Sequence, residues 1–111
     1  MQSKNNFLVY IHRLKSDGRV YVGQTNGSLK TRAGSNGHRY KSCTKFWNAI
    51  QKYGWDNFDH IIIKDNLSLD EANKLEQYYI KLYKSNNSIN YNEYIPIYHY
   101  NVFEYLIDVL R

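Results

Sequence analysis

An Asp-Gly dipeptide between two runs of β-branched and aromatic residues is the feature that most constrains the fold of this chain. The first run extends from Phe7 to Leu14, and the second extends from Arg19 to Thr25, directly after Asp17-Gly18. Asp-Gly readily adopts the positive φ angles that tight hairpin turns require. The pattern therefore predicts an antiparallel β-hairpin over these two runs.

Tyr10 and Tyr21 lie on one face of this hairpin for every connection with an even number of residues, because side chains alternate along a strand. A two-residue turn pairs Tyr10 with Thr25, whereas a six-residue connection places the two tyrosines directly opposite each other. We expect this face, beside Gly23, to be the working face. The other face is apolar and is predicted to be the core side, with Val9, Ile11, Val20 and Val22.

The rest of the chain carries boundary signals for four further elements and one loop. Ser28 is a candidate N-cap, Gly54 a candidate C-cap, and Ser68 with Glu71 matches a capping box. The run Ile61-Ile62-Ile63 is typical of a buried strand. The predicted elements are a short helix over 28–32, a flexible polar loop over 34–37, a helix over 44–53, a strand over 58–64 and a helix over 69–84.

Glu76 interrupts the apolar stripe of the last predicted helix. This stripe has three- and four-residue steps and contains Ala72, Leu75, Tyr79, Leu82 and Tyr83, with Ile80 on its shoulder. A carboxylate in such a stripe costs several kcal/mol unless it is paired or binds a cation. The alternatives are a metal-binding or catalytic role, a structural ion pair, and a rim position from which the carboxylate reaches water.

The positive charge of the chain is concentrated in one segment. The net charge is +5, and no acidic residue occurs between Gly18 and Trp55. That segment carries Arg19, Arg32 and five cations that we identify as candidate nucleic-acid-binding residues: Lys30, Arg39, Lys41, Lys45 and Lys52. Aromatic residues are interleaved with them, at Tyr40, Phe46, Trp47, Tyr53 and Trp55. The combination indicates a phosphate-backbone partner, and a solvated basic face without a partner is the alternative.

Length and cysteine content exclude several classes of protein. A chain of 111 residues is long enough for one domain and too short for two. A single cysteine, Cys43, excludes an internal disulfide, and no Cys/His spacing suggests zinc. There is no signal peptide and no apolar run of membrane-spanning length. We therefore expect a soluble, cytoplasmic protein without a membrane partner.

Five ordered segments between residues 7 and 93 resemble the GIY-YIG endonucleases. The triplets Leu8-Val9-Tyr10 and Tyr21-Val22-Gly23, ten residues apart, look like the two that name the family, and Gln24-Thr25 follows as in the family. The other four matching segments are Ser28 to Arg32, Phe46 to Gly54 with Asn57-Phe58, Leu75 to Ile80, and Tyr91-Asn92.

The resemblance implies a fold, an activity and a set of site residues. The fold is an α/β (α+β) sandwich, a small three-stranded antiparallel sheet flanked by helices in the order β-β-α-α-β-α. The activity is metal-dependent hydrolysis of phosphodiester bonds in DNA, with one divalent ion, usually Mg²⁺ or else Mn²⁺, held by Glu76. The implied catalytic residues are Tyr10, Tyr21, Arg32, Glu76, Asn92 and His38.

Each of these residues has a chemical role that the resemblance suggests. Arg32 neutralises charge on the non-bridging phosphate oxygens, and Asn92 positions Glu76 or a water. One of the two tyrosines removes the proton from water, and which of them does so is left open. Because free tyrosine has a pKa near 10, we expect its surroundings to lower that value.

Several positions depart from the family pattern. Leu8 replaces a glycine, Asn90 stands where a glycine usually precedes Tyr-Asn, and Asn36 stands where a histidine is often found, two residues before His38.

We predict a nuclease domain over 1–95 and a C-terminal tail over 96–111. The apolar residues of the tail have helical spacing, and we expect the tail to pack on the domain or to mediate association.

Two alternatives to the endonuclease follow from these departures. One is a catalytically silent DNA-binding module of the same fold. The other is an interaction or homodimer unit that uses the tail. Because no further DNA-reading segment is recognisable, we expect weak intrinsic sequence preference, with specificity supplied by DNA structure or by a partner protein.

Overall fold

The computed structural model describes residues 5–85, with side chains as far as Tyr83. The elements are β1 (Phe7–Leu14), β2 (Val20–Thr25), α1 (Leu29–Ala33), α2 (Thr44–Tyr53), β3 (Phe58–Leu67) and α3 (Leu69–Ser85), with 3-10 segments at Ser35–Tyr40 and Trp55–Asn57. The order β-β-α-α-β-α confirms the predicted fold class. Asn92, the domain boundary near residue 95 and the tail over 96–111 lie outside the described residues.

The three strands form one antiparallel sheet in the order β2-β1-β3. The Leu14 amide donates to the Arg19 carbonyl at 2.8 Å, so Leu14 and Arg19 are the last pair of the hairpin. The connection between them has four residues, Lys15 to Gly18. This register pairs Tyr10 with Gly23 and His12 with Tyr21. Both tyrosines therefore share one face, as every even connection requires, although neither the two-residue nor the six-residue pairing is the one formed.

Both faces of the sheet are covered, so the predicted core face is confirmed and the predicted working face is a second buried face. Helix α3 packs on the apolar face, in a cluster with Val9, Ile11, Val20, Val22 and Leu67. Helices α1 and α2 and the segment Ser35–Tyr40 lie on the tyrosine face, where Tyr10, Tyr40 and Phe46 form a second core. Because β1 is the central strand, its side chains are buried on both sides.

Local signals in the sequence placed most helix boundaries correctly. The Ser28 hydroxyl accepts from the Thr31 amide at 3.0 Å, as an N-cap does. Helix α2 has the predicted limits. In the capping box, the Glu71 amide donates to Ser68 Oγ at 3.1 Å and the Ser68 amide donates to Glu71 Oε1 at 2.9 Å.

The predicted loop over 34–37 is largely a 3-10 segment instead. Asn36 and Gly37 have positive φ angles of 51° and 74°, which turn the chain inside this segment. Gly37 is buried against Trp55, and a Cβ at position 37 would lie 2.6 Å from Cε3 of that ring. The glycine therefore serves close packing rather than flexibility.

The predicted core run in β3 is mostly exposed. Ile61 is 43% exposed and Ile62 is 51% exposed, while Ile63 is half-buried. The reason is that β3 is an edge strand, and the helices cover the middle of the sheet more fully than this edge. No helix within residues 5–85 is long and apolar enough to cross a membrane.

Candidate active site

The Tyr10 side chain lies across β2, directly over Gly23. A Cβ at position 23 would lie 2.6 Å from Cζ of the Tyr10 ring, so only glycine leaves room for it. Tyr10 is 1% exposed. The glycine of the second triplet therefore has a structural role, because Gly23 leaves room for the ring of Tyr10, the tyrosine of the first triplet.

A chain of hydrogen bonds runs from Tyr10 along the tyrosine face. The Tyr40 hydroxyl donates to Tyr10 Oη at 3.0 Å, and His12 Nε2 lies 2.7 Å from Tyr40 Oη. His12 Nδ1 lies 2.9 Å from Nδ1 of His60. His12 and His60 are direct partners across β1 and β3. Four side chains from three separate parts of the chain therefore form one continuous network.

Tyr21 is half-buried and stacks on Phe46, with ring centroids 4.5 Å apart. Its hydroxyl lies 3.6 Å from Sγ of Cys43. Tyr21 pairs with His12 and Tyr10 pairs with Gly23, so the two tyrosines are displaced from each other by two residues along the strands. The structure thus places both predicted tyrosines on one face of the sheet. Of the two, only Tyr10 is hydrogen-bonded to the Tyr40 hydroxyl.

Arg32 projects from α1 onto the same group of rings. Its guanidinium carbon lies 4.4 Å from the centroid of the Tyr40 ring, a cation–π contact. Its Nη1 lies 3.5 Å from the Arg39 carbonyl. Among residues 5–85, Arg32 has no carboxylate within ion-pair distance. A half-buried guanidinium without a counter-ion is a suitable group for binding an incoming phosphate.

The surroundings raise the pKa of both tyrosines, contrary to the expectation that they lower it. Burial is the largest cause for Tyr10, and it outweighs the opposing effects of the Tyr40 hydrogen bond and the Arg32 charge. Burial and the neighbouring Tyr10 raise the pKa of Tyr21 as well. Both phenols are therefore protonated at neutral pH in this state of the protein.

Glu76 is half-buried in α3, one turn after the fully buried Ala72. Burial raises the pKa of its carboxyl to about 7. It has neither an ion pair nor a hydrogen bond within the described part of the chain, so the structural ion pair predicted as an alternative is not formed there. Its charge adds a smaller contribution to the burial that raises the pKa of Tyr10.

A further oxygen of the type that binds hard cations belongs to Gln24, whose side chain contacts the turn of α3 before Glu76. Gln24 Nε2 donates to Asn73 Oδ1 at 2.6 Å, and Asn73 lies one turn before Glu76. This leaves Gln24 Oε1 buried and without a hydrogen-bond partner among the described residues. Mg²⁺ takes one or two carboxylates and otherwise uses waters and phosphate oxygens, so it does not require the cluster of three ligands that residues 5–85 lack.

The basic residues form two separate groups on the surface. Lys30 and Arg39 line a shallow cavity of about 430 Å³ between α1 and Ser35–Tyr40. Lys45 and Lys52 project from α2 and, with Arg19, line a second cavity of about 220 Å³.

Two further predicted site residues belong to neither group, namely Lys41 of the nucleic-acid-binding set and His38 of the catalytic set. Lys41 is exposed. His38 is exposed and contacts Trp47 edge-on, with ring centroids 5.4 Å apart. Within residues 5–85, His38 has neither a hydrogen bond nor a ring contact with Tyr10, Tyr21 or Arg32.

Sequence reasoning missed Tyr40, His12 and His60. Tyr40 was counted only as an aromatic residue of the basic segment, and no catalytic role was assigned to the two histidines. One signal was available for His12, since it lies two residues after Tyr10 and therefore on the same face of the strand. Nothing local to Tyr40 or His60 indicates that either meets His12.

The fold that carries these side chains can be compared with known proteins. A family model described as the GIY-YIG catalytic domain matches residues 6–92, which is most of the chain. Comparisons with curated proteins and with solved structures give no match. The match extends from the first strand past the last described helix. The chain therefore belongs to the GIY-YIG family, whose catalytic domain has a nuclease-type fold.

Proposed function

We propose that this protein is a metal-dependent endonuclease that hydrolyses phosphodiester bonds in DNA. The observation that carries the proposal is Glu76, a half-buried carboxylate with no partner among the described residues, whose charge contributes to the raised pKa of Tyr10. A buried carboxylate without a protein partner is costly unless a cation binds it. Family membership supports the same function, and so does Arg32, which has no carboxylate partner among residues 5–85.

Glu76 would hold the divalent ion, and the unsatisfied Gln24 Oε1 would accept a hydrogen bond from a water or bind the ion directly. When bound, such an ion polarises the scissile phosphate and stabilises charge on the leaving oxygen. The Glu76 carboxylate must be ionised to bind the ion. Because its pKa is raised to about 7, protons compete with the metal near neutral pH.

Arg32 would bind the non-bridging oxygens of the scissile phosphate. Its guanidinium is positioned by the Tyr40 ring and by the Arg39 carbonyl, so little conformational entropy is lost when phosphate arrives. A second cation close to the developing charge lowers the barrier in a site from which bulk water is largely excluded.

Tyr10 is better placed than Tyr21 to accept the proton of the attacking water. The Tyr40 hydroxyl donates to Tyr10 Oη, which favours the ionised phenol, whereas Tyr21 has only the Cys43 thiol at 3.6 Å. Binding of a divalent cation at Glu76 would remove the effect by which that carboxylate now raises the pKa of Tyr10.

The two basic groups would bind the DNA backbone on either side of the site. Lys30 and Arg39 lie closest to Arg32 along the chain, and Lys45 with Lys52 form the second group on α2. These contacts carry no base recognition, so weak intrinsic sequence preference is expected. Specificity would then come from DNA structure, from a partner protein or from association through the tail over 96–111, and Asn92 would orient Glu76.

One observation favours the alternative of a catalytically silent DNA-binding module. Burial raises the pKa of Tyr10 and Tyr21, and neutral phenols are poor bases. In that alternative the basic groups bind DNA and no bond is broken.

Plasmid nicking in Mg²⁺ tests the proposal, with wild type compared with Glu76→Gln. We expect wild type to nick and Glu76→Gln to be slower by about a thousandfold, because several kcal/mol of charge stabilisation is lost with the metal ligand. Glu71→Gln is the matched control on the same helix, since glutamine also serves in a capping box. EDTA should abolish nicking by the wild type and by this control.

The alternative gives a different result in the same experiment. Tight, salt-sensitive DNA binding by the wild type, with no nicking in Mg²⁺ or Mn²⁺, would favour the silent module. Nicking that survives EDTA would contradict the metal-dependent mechanism.

A further inference from the structure

We propose that Tyr40, His12 and His60 form a proton relay that connects Tyr10 with the solvent at the opposite edge of the sheet. The inference rests on the proposed function, because it assigns a route for the proton that hydrolysis releases. It assigns a role to two histidines that the reaction described above does not use.

The relay follows from three consecutive hydrogen bonds. Tyr10 Oη and Tyr40 Oη are 3.0 Å apart, Tyr40 Oη and His12 Nε2 are 2.7 Å apart, and the Nδ1 atoms of His12 and His60 are 2.9 Å apart. Every member can both donate and accept in its neutral form. Hydroxyl and imidazole groups in such a chain can pass protons without moving any heavy atom.

The direction of the hydrogen bonds is determined along the whole chain. Because the Tyr40 hydroxyl donates to Tyr10, His12 must donate to Tyr40 through its Nε2 proton. His12 Nδ1 then carries no proton and accepts from Nδ1 of His60. Every donor therefore points towards Tyr10. This direction of the hydrogen bonds stabilises a Tyr10 phenolate, and it is also the direction that remains after a proton has passed from Tyr10 to His60.

The transfer starts with the hydrogen bonds in the opposite direction, so that Tyr10 donates to Tyr40. As the water oxygen bonds to phosphorus, the water proton passes to Tyr10 Oη and the Tyr10 proton passes to Tyr40. The Tyr40 proton passes to His12 Nε2, and the His12 Nδ1 proton passes to Nδ1 of His60. His60 then releases its Nε2 proton to solvent, and the bond from phosphorus to the leaving oxygen breaks with that oxygen taking a proton from solvent.

His12 is suited to conduct protons without retaining one. It is fully buried, and burial, with the nearby His60 and Arg32, lowers its pKa to about 3. A stable imidazolium is therefore not formed at this position. Transfer through His12 must be concerted, with one proton arriving at Nε2 as the other leaves Nδ1.

His60 is suited to exchange the proton with solvent. It is exposed on the edge strand β3 and stacks on Trp55, with ring centroids 4.1 Å apart. Burial, which is the largest cause, and Lys15 lower the pKa of His60, although a backbone hydrogen bond to Trp55 and the carboxylates of Asp59 and Asp56 act in the opposite direction. His60 lies on β3, the edge strand on the opposite side of β1 from β2.

His60→Phe is the variant that tests the relay. Phenylalanine keeps the stacking on Trp55 and cannot accept a proton. We expect kcat for plasmid nicking to fall about tenfold, which is less than the roughly 10²–10⁴-fold cost of losing a direct general acid or base, because His60 lies at the far end of the relay. KM for DNA should be unchanged. Ile61→Phe, at the neighbouring exposed position on β3, is the control and should nick at the wild-type rate.

Chemical rescue separates a relay from a merely structural role. In His60→Ala, added imidazole can occupy the space beside Trp55 and accept the proton, so it should restore most of the lost kcat. Pyrazole has a similar shape and is a much weaker base, so it should not. Thermal unfolding of each variant shows whether the domain remains folded.

The possible results are distinct. Wild-type kcat in His60→Phe would overturn the relay, as would a loss of kcat that imidazole does not restore or that pyrazole restores equally well. Wild type that nicks no faster than Glu76→Gln would overturn the proposed function, and the relay with it.

Discussion

The two faces of the sheet are both buried, but they are built from different side chains. On the α3 face, β1 and β2 contribute Val9, Ile11, Val20 and Val22, packed on Leu75 and other apolar residues of the helix. On the other face, the same two strands contribute Tyr10, His12 and Tyr21, packed on Tyr40 and Phe46. One hairpin therefore supplies an aliphatic face and an aromatic, hydrogen-bonded face.

The difference shows how a small domain can combine stability with chemistry. The aliphatic face needs only burial and close packing, so its contribution depends on volume. The aromatic face buries hydroxyl and imidazole groups, which must satisfy one another, and Tyr40 does this by bonding to both Tyr10 and His12. We therefore expect substitutions on one face to affect mainly stability and substitutions on the other to affect mainly catalysis.

The largest expected effect is that of Tyr10→Phe on nicking. The ring and its packing over Gly23 remain, whereas the hydroxyl that accepts from Tyr40 is lost. Nicking should slow by about 10²–10⁴-fold, the usual contribution of a general base, while stability falls by only about 1 kcal/mol. Single-turnover nicking and urea unfolding measure the two effects.

Tyr79→Phe makes the same deletion on the aliphatic face, where Tyr79 is half-buried against the α3 cluster. Tyr79→Phe should change neither the nicking rate nor the free energy of unfolding appreciably. Equal loss of nicking in both variants would remove the functional distinction between the two faces.

Leu75→Ala should produce the next largest effect, and on stability alone. Leu75 is fully buried against the aliphatic face, so its truncation should cost about 2–5 kcal/mol. The folded fraction should nick at the wild-type rate, because no hydrogen bond of the aromatic face is touched. Leu69→Ala, on the same helix but 52% exposed, should change stability by about 0.5 kcal/mol or less. A large loss of nicking per folded molecule in Leu75→Ala would show that the faces are coupled.

The effect of Glu76→Gln on stability should be smaller than that of Leu75→Ala, and it should depend on pH. Burial raises the pKa of Glu76 from its usual 4.5 to about 7, so the folded state binds this proton more tightly than the unfolded state. The resulting stability is fully present below pH 4.5 and is lost as the pH rises through 7. Without metal, Glu76→Gln should therefore be more stable than wild type at pH 8, by up to about 3 kcal/mol, and equally stable near pH 4.

Adding Mg²⁺ should reverse that difference, because the ion stabilises the wild type at pH 8 and has little effect on Glu76→Gln. Thermal melting at the two pH values, with and without Mg²⁺, measures both effects. A variant that is less stable than wild type at pH 8 without metal would show that the carboxylate has a partner within the protein. It would then be a structural residue rather than a cation ligand.

Much of the fold and part of the site could be predicted from local signals. Asp17-Gly18 marked the hairpin, Ser68 with Glu71 marked the start of α3, and the position of Glu76 in an apolar stripe marked it as unusual. These signals are local because turns, caps and helical periodicity depend on residues that are neighbours in the chain. The predicted boundaries of α2 and β1 were correct for the same reason.

Other features depend on contacts between distant residues, and only the tertiary structure decided them. The four-residue connection placed Tyr10 over Gly23, the helices covered both faces of the sheet, and the edge position of β3 left Ile62 exposed. Burial then raised the pKa of Tyr10, where a lowered value was expected.

The sequence by itself determined which elements form and which side chains share a strand face, because those depend on short-range backbone geometry. The tertiary structure decided that Tyr40 and His60 meet at His12. These residues lie 28 and 48 positions away from it, and only packing of the whole sheet and its helices brings them together.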